Sequence, residues 1–397
     1  MKVFCEKDVS MQRFKHLLLF MSVGWLVSAC SSSDFSQLKA LKEYFDQPDD
    51  THNSKFTLLH FQKVSYFNSP WALAALPDGR LLVTEKAGAI KLFEPATQQV
   101  FSVANVPLVV NEGQGGLGDI VLHPDFQRNH LIYFSYVESS DQGTGAVVDR
   151  AELDLSQAQQ PRLLHRQRIW TQQPKVRGHG HFSYRVLFDR DGKLWISSGE
   201  RQQFSPAQDL QSHLGKIVRL NADGSVPADN PLYAQGGTAA QLWSWGHRNP
   251  LGIAFDSQGQ LWEVEMGPKG GDELNQIHKG RNYGYPLVSN GDHYSGIKIP
   301  RHSTRPEFQA PVVSWTPVIS PSSLIIYQGK RIPQWTGKAL IGGLSSESII
   351  VVDLQQKPIK ELERIEMGQR IRGLLQTPTG DLWVIEDGEN AALLKLQ

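Results

Sequence analysis

One short pattern returns along the chain from about Phe56 onward, and it restricts the fold more than any other feature. Pro77-Asp78-Gly79-Arg80-Leu81-Leu82-Val83-Thr84 reads as a tight turn followed by a strand of branched apolar residues. Arg190-Asp191-Gly192-Lys193-Leu194-Trp195-Ile196, Ser257-Gln258-Gly259-Gln260-Leu261-Trp262 and Pro378-Thr379-Gly380-Asp381-Leu382-Trp383-Val384-Ile385 repeat it. In each, the glycine admits the positive φ of the turn, and the apolar run after it suits a buried strand. His130-Leu131-Ile132-Tyr133-Phe134-Ser135 and Gly337-Lys338-Ala339-Leu340-Ile341-Gly342 are weaker copies. Units spaced roughly 40–80 residues apart fit four-stranded propeller blades, each of which buries its faces only against neighbours. The expected fold is all-β: a six-bladed β-propeller of four-stranded antiparallel blades over residues 56–397. The 35 glycines, 22 prolines, ten Trp and ten Tyr agree with many turns and strands. Two stacked β-sandwiches are the alternative, but no Pro/Ser-rich linker divides the region. The longest insertions, near Asp141–Gly145 and Asn282–Arg305, are expected as loops on a propeller face, where binding sites collect.

The N-terminus has a different character. Arg13, Lys15 and His16 precede an apolar run from Leu17 to Ala29 that is short for a membrane-spanning helix and ends in small residues, as a secretory signal does. Val27-Ser28-Ala29-Cys30 looks like a bacterial lipobox. Residues 1–29 are therefore expected to be a lipoprotein signal peptide, Cys30 the lipidated new N-terminus, and residues 30–55 a flexible tether. Ser31 in place of Asp after the cysteine implies an exported protein anchored at the outer membrane and facing the periplasm, touching the membrane through its lipid only. Met11 competes with Met1 as the start. Cys5 and Cys30 are the two cysteines, so residues beyond Cys30 have no disulfide, thiol nucleophile or Cys-ligated metal to call on. Forty Lys and Arg balance forty Asp and Glu, which speaks against a nucleic-acid partner.

Several segments carry chemistry. Trp243-Ser244-Trp245-Gly246-His247-Arg248-Asn249-Pro250-Leu251-Gly252 sets Arg248 and Asn249 in a Gly/Pro-bounded turn before an apolar strand. Their donors suit an oxygen on which negative charge develops, or else Arg248 is a salt-bridging loop residue. Met266-Gly267-Pro268-Lys269-Gly270-Gly271-Asp272-Glu273 bends the backbone so that carbonyls can converge beside two carboxylates. Oxygen ligands of this kind suit Ca²⁺, and a plain acidic turn is the alternative. In Gly178-His179-Gly180-His181-Phe182-Ser183-Tyr184-Arg185 an extended backbone would put both histidines on one face. A neutral imidazole there can act as a general base; a zinc pair lacks a third ligand at recognisable spacing, and an exposed histidine is the default. Gly113-Gln114-Gly115-Gly116-Leu117-Gly118-Asp119 lacks the Lys-Ser/Thr of a phosphate loop, and its glycines are expected to let a flat ligand approach the backbone. Arg370 and Arg372 in Gly368-Gln369-Arg370-Ile371-Arg372 share one face of a strand, to hold a polyanion or to protect an edge.

In this order the segments GQGGL, GHF…R, GHRNPLG, GPKGGDELN, NYGYP and GQRIR resemble the soluble glucose/sorbosone dehydrogenase family, particularly the bacterial aldose sugar dehydrogenases, from about Phe67 to Leu396. The resemblance implies a propeller that binds pyrroloquinoline quinone (PQQ) and Ca²⁺ and oxidises aldose sugars at C1 to lactones, passing electrons to an external acceptor. It makes His181 the base and Arg248 the residue that holds the quinone oxygens, with Asn249 beside it. Gln114 falls at the edge shared by cofactor and substrate, Arg370 and Arg372 at the PQQ carboxylates, and Tyr294 on the substrate side. Carbonyls of Gly267 and Pro268 hold the ion that touches PQQ, and Glu273 with Tyr283 marks a second, structural Ca²⁺ site. The tricarboxylate charge of PQQ asks for the cations that Arg248, Arg370, Arg372 and Ca²⁺ supply.

Two positions depart from the family. Gly343-Leu344-Ser345-Ser346-Glu347 stands where members often carry a PQQ-pairing lysine, and Ser183-Tyr184 replaces small glycines after the histidine. Two other functions follow from the departures and the motifs: a propeller lipoprotein that has lost PQQ and binds carbohydrate or acts as a scaffold, and a Ca²⁺-dependent lactone or ester hydrolase using Glu273 or His181.

Overall fold

Turn chemistry sets the blades. In the computed structural model, which describes residues 59–157 and 159–397, Asp189 accepts the backbone N–H groups of Asp191 and Lys193 on Oδ1 and the Trp195 indole N–H on Oδ2 at 2.8 Å. Asp256 repeats the arrangement with Gln258, Gln260 and Trp262. One carboxylate thus closes the turn and pins the aromatic residue of the strand that follows. Gly192 and Gly259 take φ of 74° and 82° between them, where a β-carbon is disfavoured.

Six four-stranded antiparallel sheets result, so the expected propeller is observed. Blade I comprises β2 (Pro70–Ala75), β3 (Leu81–Glu85), β4 (Ala89–Glu94) and β5 (Gln99–Ser102). Blade II comprises β6 (Leu117–Leu122), β7 (Leu131–Ser140), β8 (Gly143–Asp154) and β9 (Arg162–Thr171). Blade III holds β10 (Ser183–Phe188), β11 (Lys193–Ser198), β12 (Lys216–Asn221) and β13 (Leu242–Trp245). Blade IV holds β14 (Pro250–Phe255), β15 (Leu261–Glu265), β16 (Asp272–Ile277) and β17 (Val313–Trp315). Blade V holds β18 (Pro321–Ile326), β19 (Ala339–Gly343), β20 (Ser348–Asp353) and β21 (Lys360–Glu366). Blade VI takes β22 (Ile371–Gln376), β23 (Leu382–Glu386) and β24 (Ala391–Leu396) from the C-terminus and β1 (Phe61–Phe67) from the other end of the described chain. Antiparallel pairing of β1 with β24, from Phe61 opposite Leu396 to Phe67 opposite Ala391, closes the ring. All six repeated units fall at the joint between the first and second strands of a blade.

The first strands β2, β6, β10, β14, β18 and β22 touch one another in a closed circuit around the axis. Each pairs with its second strand through a register shift near its start. In blades I–III a buried hydroxyl spans this irregularity and the blade boundary together. Thr84 Oγ1 accepts from Ala72 N–H and donates to Gly118 O at 2.7 Å. Ser135 accepts from Asp119 N–H and donates to Tyr184 O, and Ser197 accepts from Arg185 N–H and donates to Pro250 O. The N–H freed by each bulge is thereby satisfied within its own blade, and a carbonyl freed in the next blade is satisfied by the same hydroxyl. Apolar side chains fill the spaces between blades, as where Trp262, Val264 and Leu274 of blade IV meet Leu324, Ile341 and Ile350 of blade V.

The expected signal peptide (1–29), Cys30 and tether (30–55) lie outside the described residues, as do residues 56–58. Among the described residues no helix is long and apolar enough to cross a membrane. Asp141–Gly145, expected as a loop insertion, is instead the tip of the extended β7–β8 hairpin. The Asn282–Arg305 insertion is a loop between β16 and β17, and it helps to wall the site.

Candidate active site

Loops leaving one rim of the ring bound two adjoining cavities. One, of about 400 Å³, is lined by Trp71, Lys86, Tyr184, Arg370, Arg372 and Asp387 among others. The other, of about 440 Å³, is lined by His181, Glu200, Arg248, Gly267, Pro268 and Tyr294 among others. Gln114, Met266 and Ser320 belong to both walls, so the cavities form one basin. Of the sequence-selected residues, Gln114, His181, Arg248, Gly267, Pro268, Tyr294, Arg370 and Arg372 all line it.

His181 sits in the loop that enters β10, with φ of 48°, and its backbone N–H donates to Gln114 Oε1 at 2.7 Å. Its Nδ1 lies 2.5 Å from Glu200 Oε1, while Glu200 Oε2 accepts from Phe204 N–H at 2.7 Å. Burial lowers the His181 pKa and the Arg248 charge adds to this, against the opposing pull of Glu200. Burial works to raise the Glu200 pKa, but the hydrogen bond and charge of His181, the Phe204 N–H and the Arg248 charge together outweigh it and leave the carboxyl lowered. The pair is thus a neutral imidazole on a carboxylate: Nδ1 carries the proton that meets Glu200, and Nε2 keeps its lone pair. His179 lines neither cavity; its Nε2 meets Glu112 at 3.1 Å. The two histidines do not share a face, because Gly178 at φ 98° and His181 break the extended backbone.

Arg248 donates from Nη1 to Met266 O at 2.9 Å and to Gly267 O at 2.7 Å. Its Nε and the Asn249 Nδ2 are buried with no partner, although Asn249 Oδ1 accepts from Ser183 Oγ at 2.9 Å. A buried donor without an acceptor is costly, by about 1–3 kcal/mol, and because Arg248 lines the basin while Asn249 does not, it is Arg248 Nε that points to a bound oxygen-rich group. Beside them, Asp272 Oδ1 accepts from Gly267 N–H at 2.9 Å, and Oδ2 accepts from Ile319 and Ser320 N–H. Burial raises the Asp272 pKa to about 6. This brace holds the Gly267–Pro268 turn, whose carbonyls suit a hard cation.

Arg370 and Arg372 converge on Asp387, from Nε to Oδ2 and from Nε to Oδ1, each at 2.8 Å. The loop after β19 adds no cation: Ser345 Oγ bonds to Val318 O and Ser320 Oγ. Ser183 and Tyr184, with φ of 63° and 49°, hold left-handed conformations that glycine adopts more easily. The buried Tyr184 ring packs 4.9 Å from Trp71 and forms part of the cavity wall. Glycines of the 113–118 segment serve close backbone crossings, and Gly113 also lines the first cavity. A β-carbon on Gly116 would lie 2.4 Å from Lys86 O, and one on Gly118 would meet the Tyr184 ring.

Glu273 and Tyr283 lie below the basin, on the walls of a smaller cleft shared with Glu265 and His302. The Tyr283 hydroxyl is committed, donating to Gln276 O and accepting from His278 N–H, and its carbonyl accepts from His302 Nε2 at 3.0 Å. Glu263, Glu265 and His247 gather beside it, all buried, and Glu263 Oε1 has no partner. Burial, reinforced by the Glu265 charge, raises the pKa of both Glu263 and Glu273. An anionic cluster of this kind fits a cation.

Sequence reading missed Glu200, Asp387, Lys86 and Glu265. A signal was present: Thr84-Glu85-Lys86, Gly199-Glu200, Val264-Glu265 and Ile385-Glu386-Asp387 all place an acid at or just past the end of a second strand, on the rim where the basin opens.

Solved glucose dehydrogenases share this six-bladed ring, and the chain belongs to their family: the glucose / sorbosone dehydrogenase family profile matches residues 67–395. Among its relatives, aldose sugar dehydrogenase YliI of Escherichia coli K12 is 39% identical over 338 residues, covering 82% of this chain and 89% of the relative. The crystal structure of the soluble aldose sugar dehydrogenase from Escherichia coli in the apo-form superposes with a TM-score of 0.79 at 36% identity, covering 85% of this chain and 99% of that one. The PQQ-bound form of aldose sugar dehydrogenase from Streptomyces coelicolor gives 0.69 at 27% identity, covering 85% and 98%.

Proposed function

We propose that this protein is a PQQ- and Ca²⁺-dependent dehydrogenase that oxidises aldose sugars at C1 to lactones. The observation that carries the reading is the unpartnered buried Nε of Arg248, a residue that lines the same basin as the neutral imidazole of His181 and the arginine wall of Arg370 and Arg372. Arg248, Asn249, Arg370 and Arg372 would hold PQQ, and the Gly267 and Pro268 carbonyls its calcium. When bound, PQQ supplies the acceptor for the hydride of the sugar C1. His181 takes the C1 hydroxyl proton on Nε2, because Glu200 engages Nδ1 and fixes the ring. Gln114 positions His181 through its backbone N–H. Tyr294, 75% exposed, and Phe204 rim the cavity where the sugar enters. Glu273, with the Tyr283 carbonyl, would hold a second, structural calcium.

The same reading makes the protein an exported lipoprotein anchored through Cys30, which hands electrons to an external acceptor. Purified protein incubated with PQQ and Ca²⁺ is expected to take up the quinone and reduce an artificial acceptor when given an aldose. Absence of PQQ uptake would overturn the proposal. It would leave the carbohydrate-binding or scaffold function, which the lysine-free Ser345 loop favours, while lactone hydrolysis without PQQ would favour a hydrolase.

A further inference from the structure

The basin wall holds a cation that the motifs do not include. Lys86 occupies the turn between β3 and β4, with its backbone fixed at both ends: N–H donates to Ser69 O, and the carbonyl accepts from Leu117 N–H, each at 3.0 Å. The half-buried side chain lines the same cavity as Arg370, Arg372 and Asp387, and Nζ donates to Gly113 O at 3.1 Å. Among the described residues it has no carboxylate partner, whereas Asp387 is shared by the two arginines. Three cations against one carboxylate leave an excess of two positive charges on this wall. Burial, with the nearby Arg372 charge, lowers the Lys86 pKa against the opposing pull of Asp387, so an anion placed here would meet an ammonium that the one shared carboxylate compensates only in part.

We propose that Lys86 is an anchoring residue for the cofactor, donating from Nζ to one of its carboxylates, so that blade I supplies the charge which the blade V loop at Ser345 does not. This rests on the PQQ reading above. The chemistry is that of a charge-assisted hydrogen bond in a partly desolvated site.

Equilibrium titration of the purified, Ca²⁺-loaded protein with PQQ, followed by tryptophan quenching at low and high salt, tests it. Lys86→Met is expected to bind about ten- to a hundredfold more weakly, with a shallower dependence on salt and an unchanged melting temperature before PQQ is added. Lys86→Arg is expected to bind like the parent. Lys86→Gln keeps a donor for Gly113 O without the charge, and is expected to bind as weakly as the methionine variant. Parent-like affinity in Lys86→Gln would overturn the role of the charge while leaving the PQQ reading intact. A parent protein that takes up no PQQ would overturn both.

Discussion

At the scale of single residues, function turns on one imidazole and its carboxylate. His181→Ala is expected to abolish sugar-dependent turnover while leaving PQQ bound, since the base acts on substrate. The His181 pKa lies below its ordinary 6.5, so the acid limb of kcat/KM is expected below that pH. Glu200 raises that pKa, so Glu200→Gln should move the limb to still lower pH and cut kcat by about tenfold or more. A pH–rate profile of both proteins checks this; an unmoved limb would disconnect Glu200 from the base. Away from the site, burial lowers the His213 pKa from 6.5 to about 4, and its Nδ1 accepts from Gln173 N–H. Between those values the unfolded chain binds the proton and the folded chain does not. Stability is therefore expected to fall as pH drops through that window, by about 3 kcal/mol in total. His213→Gln should flatten the fall in urea-unfolding free energy measured from pH 7 to 4. His181 and Arg248 were legible through the ordered set of segments and the family it resembles, since each motif alone left an exposed histidine or a salt-bridging arginine open. Glu200 was not, since only the fold carries it 19 positions along the chain back to the imidazole.

At the scale of elements, the hydroxyl bridges between first and second strands decide how one blade meets the next. Ser197 is fully buried, and it satisfies both Arg185 N–H and Pro250 O. Ser197→Ala would strand both backbone groups, at a cost of about 2 kcal/mol in thermal or urea unfolding. The same change at an exposed serine such as Ser156 should cost a few tenths, and equal effects would rule the bridge out. The strands were legible through local turn chemistry, because Asp189 and Asp256 act within a few residues of themselves. Which hydroxyls reach across was not, because Thr84, Ser135 and Ser197 look like ordinary strand residues until the next blade is in place. Of the 113–118 glycines, Gly113 lines the basin, while Gly116 and Gly118 are crowded by distant backbone and the Tyr184 ring, which the local sequence does not show.

At the scale of the whole molecule, closure is the central constraint. Blade VI is complete only when β1 pairs with β24, and without it β24 is a free edge. Deleting Phe61–Phe67 is expected to lower the urea midpoint sharply and produce higher-order species in gel filtration. A monomer with the parent midpoint would show that the closure adds nothing. The ring also explains the site, since Gln114, His181, Arg248 and Arg370 precede the first strands of four different blades, and closure brings their loops to a common rim.

The chain by itself determined the blade pattern, because turn formation and strand burial depend on neighbours a few residues apart. It determined the residue types for binding an oxygen-rich anion as well, because arginine, asparagine and glycine-bounded turns keep their chemistry wherever they fall. Tertiary structure alone decided that His181 points to Glu200 while His179 turns away to Glu112, and that Lys86 stands beside Arg372. The first joins two loops of one blade and the others join residues of separate blades, and their distances exist only once the strands have paired and the ring has closed.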